Sequence, residues 1–207
     1  ILSIVIPTRN RFQYILHSIQ SILKIDSHEL QLVVEDNSDT NQLELWIKEN
    51  ISDNRITYSF SKEPVSMTEN YDRALKKAIG EYVCVIGDDD CVLPEIIEAT
   101  RWAKAQNLDA LTPSAGVLYL WPDLTLQTRN VTGTGELLIK KFSGEITYPN
   151  PETEIKNCVK DVGQNFHGLP KAYYGIVRKA GWDRFMEKSG TYFPGVSPDL
   201  AAAISIA

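Results

Sequence analysis

The sequence predicts an α/β fold in which a mostly parallel sheet is flanked by helices and joined to a smaller antiparallel and loop half. Short β-branched runs alternate with amphipathic helical patterns as far as residue 112, and the links between them are short. Beyond Pro113 the pattern changes to short alternating runs rich in Gly, Thr, Pro and aromatic residues. At 207 residues we expect a single domain over 1–207, with halves at 1–112 and 113–207.

Five strands are predicted in the first half, and each is a short run of mainly apolar residues. They cover residues 2–6, 30–34, 56–60, 82–87 and 109–112. Helices are predicted after the first four strands, because apolar residues recur there at spacings of three and four. These helical patterns cover residues 12–23, 43–47, 67–79 and 94–106.

The third of these helices has the clearest end signals. Ser66 and Glu69 have the spacing of a capping box, in which two side chains satisfy free amides reciprocally. Gly80 is a suitable C-terminal stop. We expect Met67 and Ile79 to lie on the buried face of the helix with its other apolar residues.

The second half carries weaker signals for regular structure. Asn150-Pro151 predicts a helix start, residues 174–177 predict a strand, and residues 182–186 predict a helix. Between 114 and 149 we expect antiparallel strands and loops.

Composition excludes several classes of protein. Lys and Arg number 21 against 27 Asp and Glu, and no stretch concentrates the basic residues, so we expect no nucleic-acid partner. The three cysteines show no ligand-like pairing, which favours a reducing, cytoplasmic compartment. No apolar run approaches the roughly 20 residues that cross a bilayer. Because the chain lacks an initial Met and ends in an apolar run, we expect further residues beyond its ends. Any part of the protein that associates peripherally with the inner face of the membrane is expected to lie in those residues.

Three consecutive carboxylates, Asp88 to Asp90, follow the predicted strand 82–87. Negative charges this close repel each other unless a cation or strong donors meet them. Carboxylate oxygens suit a hard divalent ion such as Mg²⁺ or Mn²⁺ that holds a phosphate. The sequence therefore predicts a Mn²⁺ or Mg²⁺ site at this turn.

Polar residues also follow the first two strands. Thr8-Arg9-Asn10 comes after the first strand and Glu35-Asp36 after the second. Since ligands of open α/β sheets bind beyond the carboxyl ends of the strands, we expect these groups to share one cleft with Asp88 to Asp90. Carboxylates there can accept hydrogen bonds from a nucleobase or from ribose hydroxyls.

These blocks closely resemble family 2 glycosyltransferases, whose GT-A fold contains a Rossmann-like sheet. The resemblance covers residues 1–112 and is specific as an ordered set. It is carried by Ser3 to Asn10, by Leu32 to Ser38, and by Gly80 to Tyr82 with Gly87 to Asp90. It implies a nucleotide-diphosphate sugar donor (a UDP- or dTDP-sugar), a divalent metal, inversion at the anomeric carbon, and a glycan or lipid-linked acceptor bound by residues 113–207.

The resemblance also implies roles for individual residues. Asp88 and Asp90 match the D-x-D motif, the first approaching ribose or metal and the second binding the metal, and Asp89 orients the sugar. Asn70 matches a helix asparagine near the donor. The residues that the resemblance places at the nucleoside are Pro7, Thr8, Arg9 and the acid after the second strand, with Asp36 preferred and Glu35 as the alternative. One departure is that Lys62-Glu63-Pro64 stands where some relatives carry an arginine that contacts the base.

The catalytic base implied by the family is an acid at a loop-to-helix junction of the second half. Asp199, in the segment 195–200, matches this element. The competing interpretation is ordinary helix-start chemistry, with Ser197 as cap and Pro198 in the first turn. His167 lies in a loop-like stretch from which it would assist the metal or diphosphate, although a lone histidine is more often structural.

Three other functions are alternatives to the transfer of a sugar. An aspartate-based phosphoryl-transfer protein also clusters acids at strand ends, but its nucleophile follows an early strand. A dinucleotide oxidoreductase is disfavoured because the first strand-to-helix turn, residues 7–12, contains no glycine. A non-catalytic nucleotide- or glycan-binding module is disfavoured by the presence of both Asp88 and Asp90.

Overall fold

The computed structural model describes residues 1–113, 116–122, 125–126, 131–132, 135–166, 168–195 and 198–207, and of 125–126, 131–132 and 198–199 it describes the backbone. The strands are β1 Leu2–Thr8, β2 Leu30–Asp36, β3 Ile56–Phe60, β4 Tyr82–Val85, β5 Ala110–Leu111, β6 Val117–Leu120, β7 Thr125–Leu126, β8 Val131–Thr132, β9 Glu136–Ile139 and β10 Ile176–Arg178. The helices are α1 Phe12–Leu23, α2 Gln42–Asn50, α3 Met67–Leu75, α4 Ile96–Ala105, α5 Pro151–Lys160, α6 Lys179–Ser189 and α7 Pro198–Ile206.

The main sheet has six strands in the order β3-β2-β1-β4-β10-β5. Strands β3, β2, β1 and β4 run parallel, whereas β10 runs antiparallel to both of its neighbours. The predicted fold, a mostly parallel sheet flanked by helices, is confirmed.

The chain forms two compact units. Residues 1–112 and 149–207 make up the first, and residues 113–148 make up the second, in which β6 pairs with β9 and β7 with β8, all antiparallel. The division into a donor half and an acceptor half stays a prediction. In the described part of the chain, no helix combines the length and the apolar character that a membrane crossing requires.

Period-two alternation along the strands gives the sheet two buried faces. Ile4 and Ile6 of β1 lie on one face, which is covered by α1, α2 and α4. Val5 of β1 and Val33 of β2 lie on the other, which is covered by α3, α6 and α7. Burial on both faces explains why the strands read as continuous apolar runs.

Helix α3 is shorter than the sequence predicted, and its ends differ from the prediction. Met67 is 56% exposed and Ile79 is 83% exposed, because the helix ends at Leu75 and Ile79 lies beyond its last turn. The Ser66 hydroxyl accepts from the Glu69 amide at 3.2 Å, as a capping box requires. The Glu69 carboxylate instead accepts from Arg73 one turn later, at 2.7 Å. Half of the predicted capping box is therefore present.

Gly80 is required by a close approach of two backbones. Its amide donates to the Ser3 hydroxyl at 2.8 Å, and a Cβ there would lie 2.5 Å from the Ser3 nitrogen. We expect Gly80→Ala to destabilise the protein by about 2 kcal/mol or more, since β1 has no room to move away. The expected fall in melting temperature is about 4–8 °C, measured by circular dichroism.

Gly181→Ala is the matched control for Gly80→Ala. Gly181 lies within α6, and the nearest atom to its added Cβ is 3.9 Å away on Arg184. Alanine is favoured over glycine inside a helix, so this variant should melt at the wild-type temperature or slightly above it. Equal melting temperatures for the two variants would contradict the close-packing account.

Candidate active site at the carboxyl edge of the sheet

The carboxyl ends of β1, β2 and β4 meet at one edge of the sheet. Thr8 at the end of β1 is paired in register with Asp36 at the end of β2. The turn after β4 contains Asp88 to Asp90, which we call the acidic turn. The Thr8 hydroxyl donates to Asp88 Oδ2 at 2.7 Å. This contact brings the acidic turn to the end of β1, next to Asp36 at the end of β2.

Arg11 crosses from the start of α1 to the acidic turn. Its Nε donates to Asp88 Oδ1 at 3.2 Å, and its guanidinium forms an ion pair with Asp89. The guanidinium also lies 4.4 Å from the centre of the Tyr14 ring, which supports it by a cation–π contact. Arg11 therefore brings one positive charge to three carboxylates.

Asp90 is held by two donors from different parts of the chain. Its Oδ2 accepts from the Gly87 amide at 3.0 Å and from the Tyr174 hydroxyl at 2.9 Å. The Tyr174 amide in turn donates to the Val85 carbonyl at the end of β4, at 3.1 Å. Both hydrogen bonds that Asp90 accepts in the described part of the chain go to Oδ2, so its Oδ1 can serve another group.

Burial makes the charged forms of this turn costly. Desolvation raises the pKa of Asp88 above its usual value, opposed by the Thr8 hydrogen bond and by Arg11. Desolvation likewise raises the pKa of Asp90, opposed by Tyr174. Burial and the nearby Asp90 together raise the pKa of Tyr174. A further positive charge at the turn would relieve this penalty.

Glu35 and Asp36 are consecutive, so they face opposite sides of the sheet. Asp36 is fully buried and accepts from the Ser38 amide and the Tyr58 hydroxyl, both at 2.9 Å. Burial and the neighbouring Asp36 raise the pKa of Tyr58, which keeps this hydroxyl protonated as a donor. Asp36 thus lies on the same side of the sheet as Thr8.

Glu35 lies on the side of the sheet that is covered by α3. The whole residue is 3% exposed, and its carboxylate forms an ion pair with Lys77 and accepts from the Ser59 hydroxyl. Ser59 also faces Glu35 across the register of β2 and β3. These contacts account for the burial of Glu35 without a ligand.

Asn70 of α3 is buried directly beneath the strand ends. Its Nδ2 donates to the Thr8 carbonyl at 3.2 Å and to the Glu35 carbonyl at 3.5 Å. Its Oδ1 is buried and has no hydrogen-bond partner among the described residues. A buried acceptor without a donor is costly, so a ligand group that donates to it would gain binding energy.

The remaining residues predicted at the nucleoside are Pro7 and Arg9, and a small cavity lies near the same strand ends. Pro7 is buried in β1 opposite Glu35, and Arg9 extends outwards to Asp39 at 3.3 Å. The cavity has a volume of about 210 Å³ and is lined by polar groups from both strand ends, including Thr8 and Ser38. Its apolar walls come from α1 and α2, so the cavity combines apolar surface with hydrogen-bond donors and acceptors.

Two predicted residues are not placed by these contacts. Asp199 lies at the second position of α7, and its side chain is outside the described residues. His167 lies entirely outside them. The structure thus brings together Thr8, Asp36 and the acidic turn at one edge of the sheet.

Sequence reasoning missed three residues that hold the acidic turn. Arg11 directly follows the Thr8-Arg9-Asn10 block, so its position was a usable signal. The Ser18 hydroxyl donates to the Asp88 carbonyl at 2.9 Å from the middle of α1, where a serine reads as a surface residue. Tyr174 is 84 residues from Asp90, and its contact depends on the path of the chain into β10.

These features define an α/β protein whose parallel strands present carboxylates and a polar cavity at the ligand-binding edge of the sheet. The family model for glycosyl transferase family 2 matches residues 3–114, which is more than half of the chain. The chain therefore belongs to glycosyl transferase family 2. The predicted family and its class of enzyme, a glycosyltransferase, are confirmed.

Two glycosyltransferases are similar to this chain in sequence. The uncharacterized glycosyltransferase MG060 of Mycoplasma genitalium is 28% identical over 209 residues, covering 91% of this chain and 70% of the relative. The glycosyltransferase GlyG of Streptococcus pneumoniae is 26% identical over 111 residues, covering 53% of this chain and 36% of the relative.

Solved structures of S. aureus TarS share the fold. Residues 1–349 of TarS in complex with UDP-GlcNAc superpose with a TM-score of 0.60 at 19% identity, covering 99% of this chain and 52% of that chain. The complex of TarS 1–349 with UDP gives a TM-score of 0.58 at 18% identity and covers 53% of that chain. This chain thus spans about half the length of the TarS 1–349 structures.

Proposed function

We propose that the protein transfers a sugar from a nucleotide diphosphate to a hydroxyl of a glycan or lipid-linked acceptor, with inversion and with Mn²⁺ or Mg²⁺. The observation that supports this most strongly is the meeting of Thr8, Asp36 and the acidic turn at one sheet edge in a family 2 chain. A UDP-sugar is the first donor to consider, because TarS was solved with UDP-GlcNAc and with UDP.

In this proposal the nucleoside occupies the cavity between the ends of β1 and β2. A carboxylate offers about four lone-pair positions, so Asp36 can accept from a base N–H while it keeps its bonds to Ser38 and Tyr58. The unpartnered Oδ1 of Asn70 lies on the α3 side of the same strand ends, and we propose it as an acceptor for a donor group that reaches that side. Glu35 is assigned a structural role, because Lys77 and Ser59 already occupy its carboxylate.

The acidic turn fits a divalent ion that is shared with a diphosphate. Within the described residues, no group of three or more His, Cys, Asp or Glu side chains forms a complete metal cage. Mg²⁺ in particular is commonly held by one or two carboxylates together with substrate phosphates. Asp88 and Asp90 would hold the ion, which when bound stabilises negative charge on the departing diphosphate. Arg11 would supply a second positive charge at the same place.

The proposed transfer forms one bond and breaks one bond at the anomeric carbon. The acceptor oxygen bonds to this carbon, while the bond to the phosphate oxygen breaks and the nucleoside diphosphate leaves with the electron pair. The proton of the acceptor hydroxyl passes to Asp199, the proposed base.

A site at the cytoplasmic side of the membrane is proposed, in keeping with the free thiols of Cys84 and Cys158.

A thermal-shift experiment with UDP and Mn²⁺ tests this function. At a UDP concentration of 100 Kd, binding should stabilise the folded state by about 2.7 kcal/mol. The melting temperature should then rise by about 5–10 °C. Mn²⁺ alone should produce a smaller shift, because the phosphates complete the coordination.

The Asp36→Asn and Asp39→Asn variants sharpen the same measurement. Asp39 lies at the same edge but contacts the exposed Arg9 and Asn10, so its variant should keep the shift. Asp36→Asn should lose most of the shift with UDP. If UDP, TDP, GDP, ADP and CDP all leave the melting temperature unchanged with Mn²⁺ present, the proposed function is wrong.

A further inference from the structure

Asp72 is a buried carboxylate on α3 that lies outside the site described above. It is 7% exposed, and no described Lys, Arg or His side chain forms an ion pair with it. Its Oδ2 accepts from the Thr191 hydroxyl at 2.7 Å. Its Oδ1 accepts from two consecutive backbone amides, Tyr192 at 2.9 Å and Phe193 at 3.1 Å.

These three donors replace the water that a buried carboxylate has lost. Hydrogen bonds from amides to an ionised acid are about twice as strong as neutral ones. Removing the carboxylate would leave the two buried amides of Tyr192 and Phe193 without this acceptor, which is costly. Asp72 therefore fixes the path of residues 191–193, the segment that precedes α7, and we call its three hydrogen bonds the Asp72 clamp.

Packing holds the same segment from its other side. Tyr192 and Phe193 are 3% and 2% exposed, and both rings lie against Trp182 of α6. The Phe193 ring meets Tyr71, the neighbour of Asp72 on α3, edge-on at 5.5 Å. The segment is thus fixed to the helix that also presents Asn70 to the carbonyl of Thr8.

We propose that Asp72 is a positioning residue for the sugar-transfer step, because the Asp72 clamp fixes the chain six residues before Asp199. The inference rests on the proposed function, in which Asp199 is the base. Helix α3 carries both residues: Asn70 lies at the donor edge, and Asp72 holds residues 191–193, which precede the proposed base along the chain. Loss of the clamp should slow transfer and leave donor binding intact, because a displacement of about 1 Å costs about 10²-fold in rate.

The test compares Asp72→Ala, which removes the acceptor of all three hydrogen bonds, with Asp53→Ala. Asp53 is also a partly buried acid that accepts from a backbone amide, that of Arg55, but it lies at the opposite edge of the sheet, before the start of β3. The rate of UDP release from UDP-GlcNAc is measured with water as acceptor, together with the KM for the donor and the Kd for UDP by calorimetry. If another nucleotide sugar gives the largest wild-type rate, that donor is used.

For Asp72→Ala we expect kcat to fall about tenfold to 10²-fold, with donor KM and UDP Kd within about twofold of wild type. Asp53→Ala should leave all three values within about twofold. Thr191→Val, which removes one of the three bonds, should show a smaller fall in kcat, and Thr191→Ser should restore it. A purely structural role for Asp72 would lower UDP-binding stoichiometry and kcat together, and that result would overturn the proposal.

Hydrogen exchange of the Tyr192 and Phe193 amides provides a readout that needs no turnover. Both amides should exchange at least about tenfold faster in Asp72→Ala than in wild type, and unchanged protection would contradict the clamp. Absence of turnover in the wild-type protein with every nucleotide sugar would count against the proposed function, while the exchange experiment would still test the clamp. A kcat of Asp72→Ala within twofold of wild type would also overturn the positioning role.

Discussion

Replacing Asp90 by Asn is expected to reduce sugar transfer by about 10²- to 10³-fold. Asn keeps the size of the side chain and can still accept from Gly87 and Tyr174, so the turn should retain its shape. It cannot, however, supply the negative charge on which the proposed divalent ion depends. The measurement is the rate of UDP release from a UDP-sugar at saturating Mn²⁺, with the thermal shift by UDP and Mn²⁺ recorded beside it.

Asp39→Asn serves as the matched control for Asp90→Asn. The Asp39 carboxylate is 69% exposed and lies at the same sheet edge, so it reports the effect of removing one charge nearby without touching the acidic turn. Its rate should stay within about threefold of wild type. Equal losses in the two variants would mean that general electrostatics, and not a specific ligand role of Asp90, governs the reaction.

Replacing Lys77 by Met should substantially lower the stability of the protein. The Glu35 carboxylate is only 4% exposed, and its ion pair with Lys77 compensates the cost of burying it. Lys77 itself is 35% exposed, so water partly replaces the lost charge. We expect the free energy of unfolding to fall by about 2–4 kcal/mol, measured by urea denaturation with an unchanged m-value.

Two further variants isolate the buried charge as the cause. The double variant Glu35→Gln with Lys77→Met should recover part of the loss, because it removes the unpaired carboxylate as well. Lys48→Met breaks an ion pair with Glu44 in which the lysine is 67% exposed, and its effect should stay within about 0.5 kcal/mol. A Lys77→Met variant as stable as Lys48→Met would refute the assigned role of Glu35.

The strands and the site edge were predictable because they depend on local patterns. Apolar runs fixed the strand positions of β1 to β4, and the rule that parallel strands present ligands at their carboxyl ends brought Thr8, Asp36 and Asp88 together. The preference for Asp36 over Glu35 came from the resemblance, because composition does not distinguish the two acids. The distinction depends on which face of the sheet each residue meets, and Lys77 on α3 gives Glu35 its partner.

What could not be predicted depends on contacts that are distant along the chain. Tyr174 reaches Asp90 because the chain returns into the main sheet as an antiparallel strand, which local periodicity does not encode. The Asp72 clamp likewise joins residues about 120 positions apart. At α3, the apolar spacing continued past the real end of the helix, so Ile79 was wrongly expected to be buried.

The position of β10 has a practical consequence for anyone who trims this protein. This strand lies between β4 and β5, so it is the link that attaches β5 to the rest of the sheet. A fragment that ends at residue 114, where the family match ends, would leave β4 as an exposed edge strand. Its unpaired backbone groups would promote aggregation. Expression trials should therefore keep the C-terminal region through α7, and a nascent chain cannot close its sheet until β10 has left the ribosome.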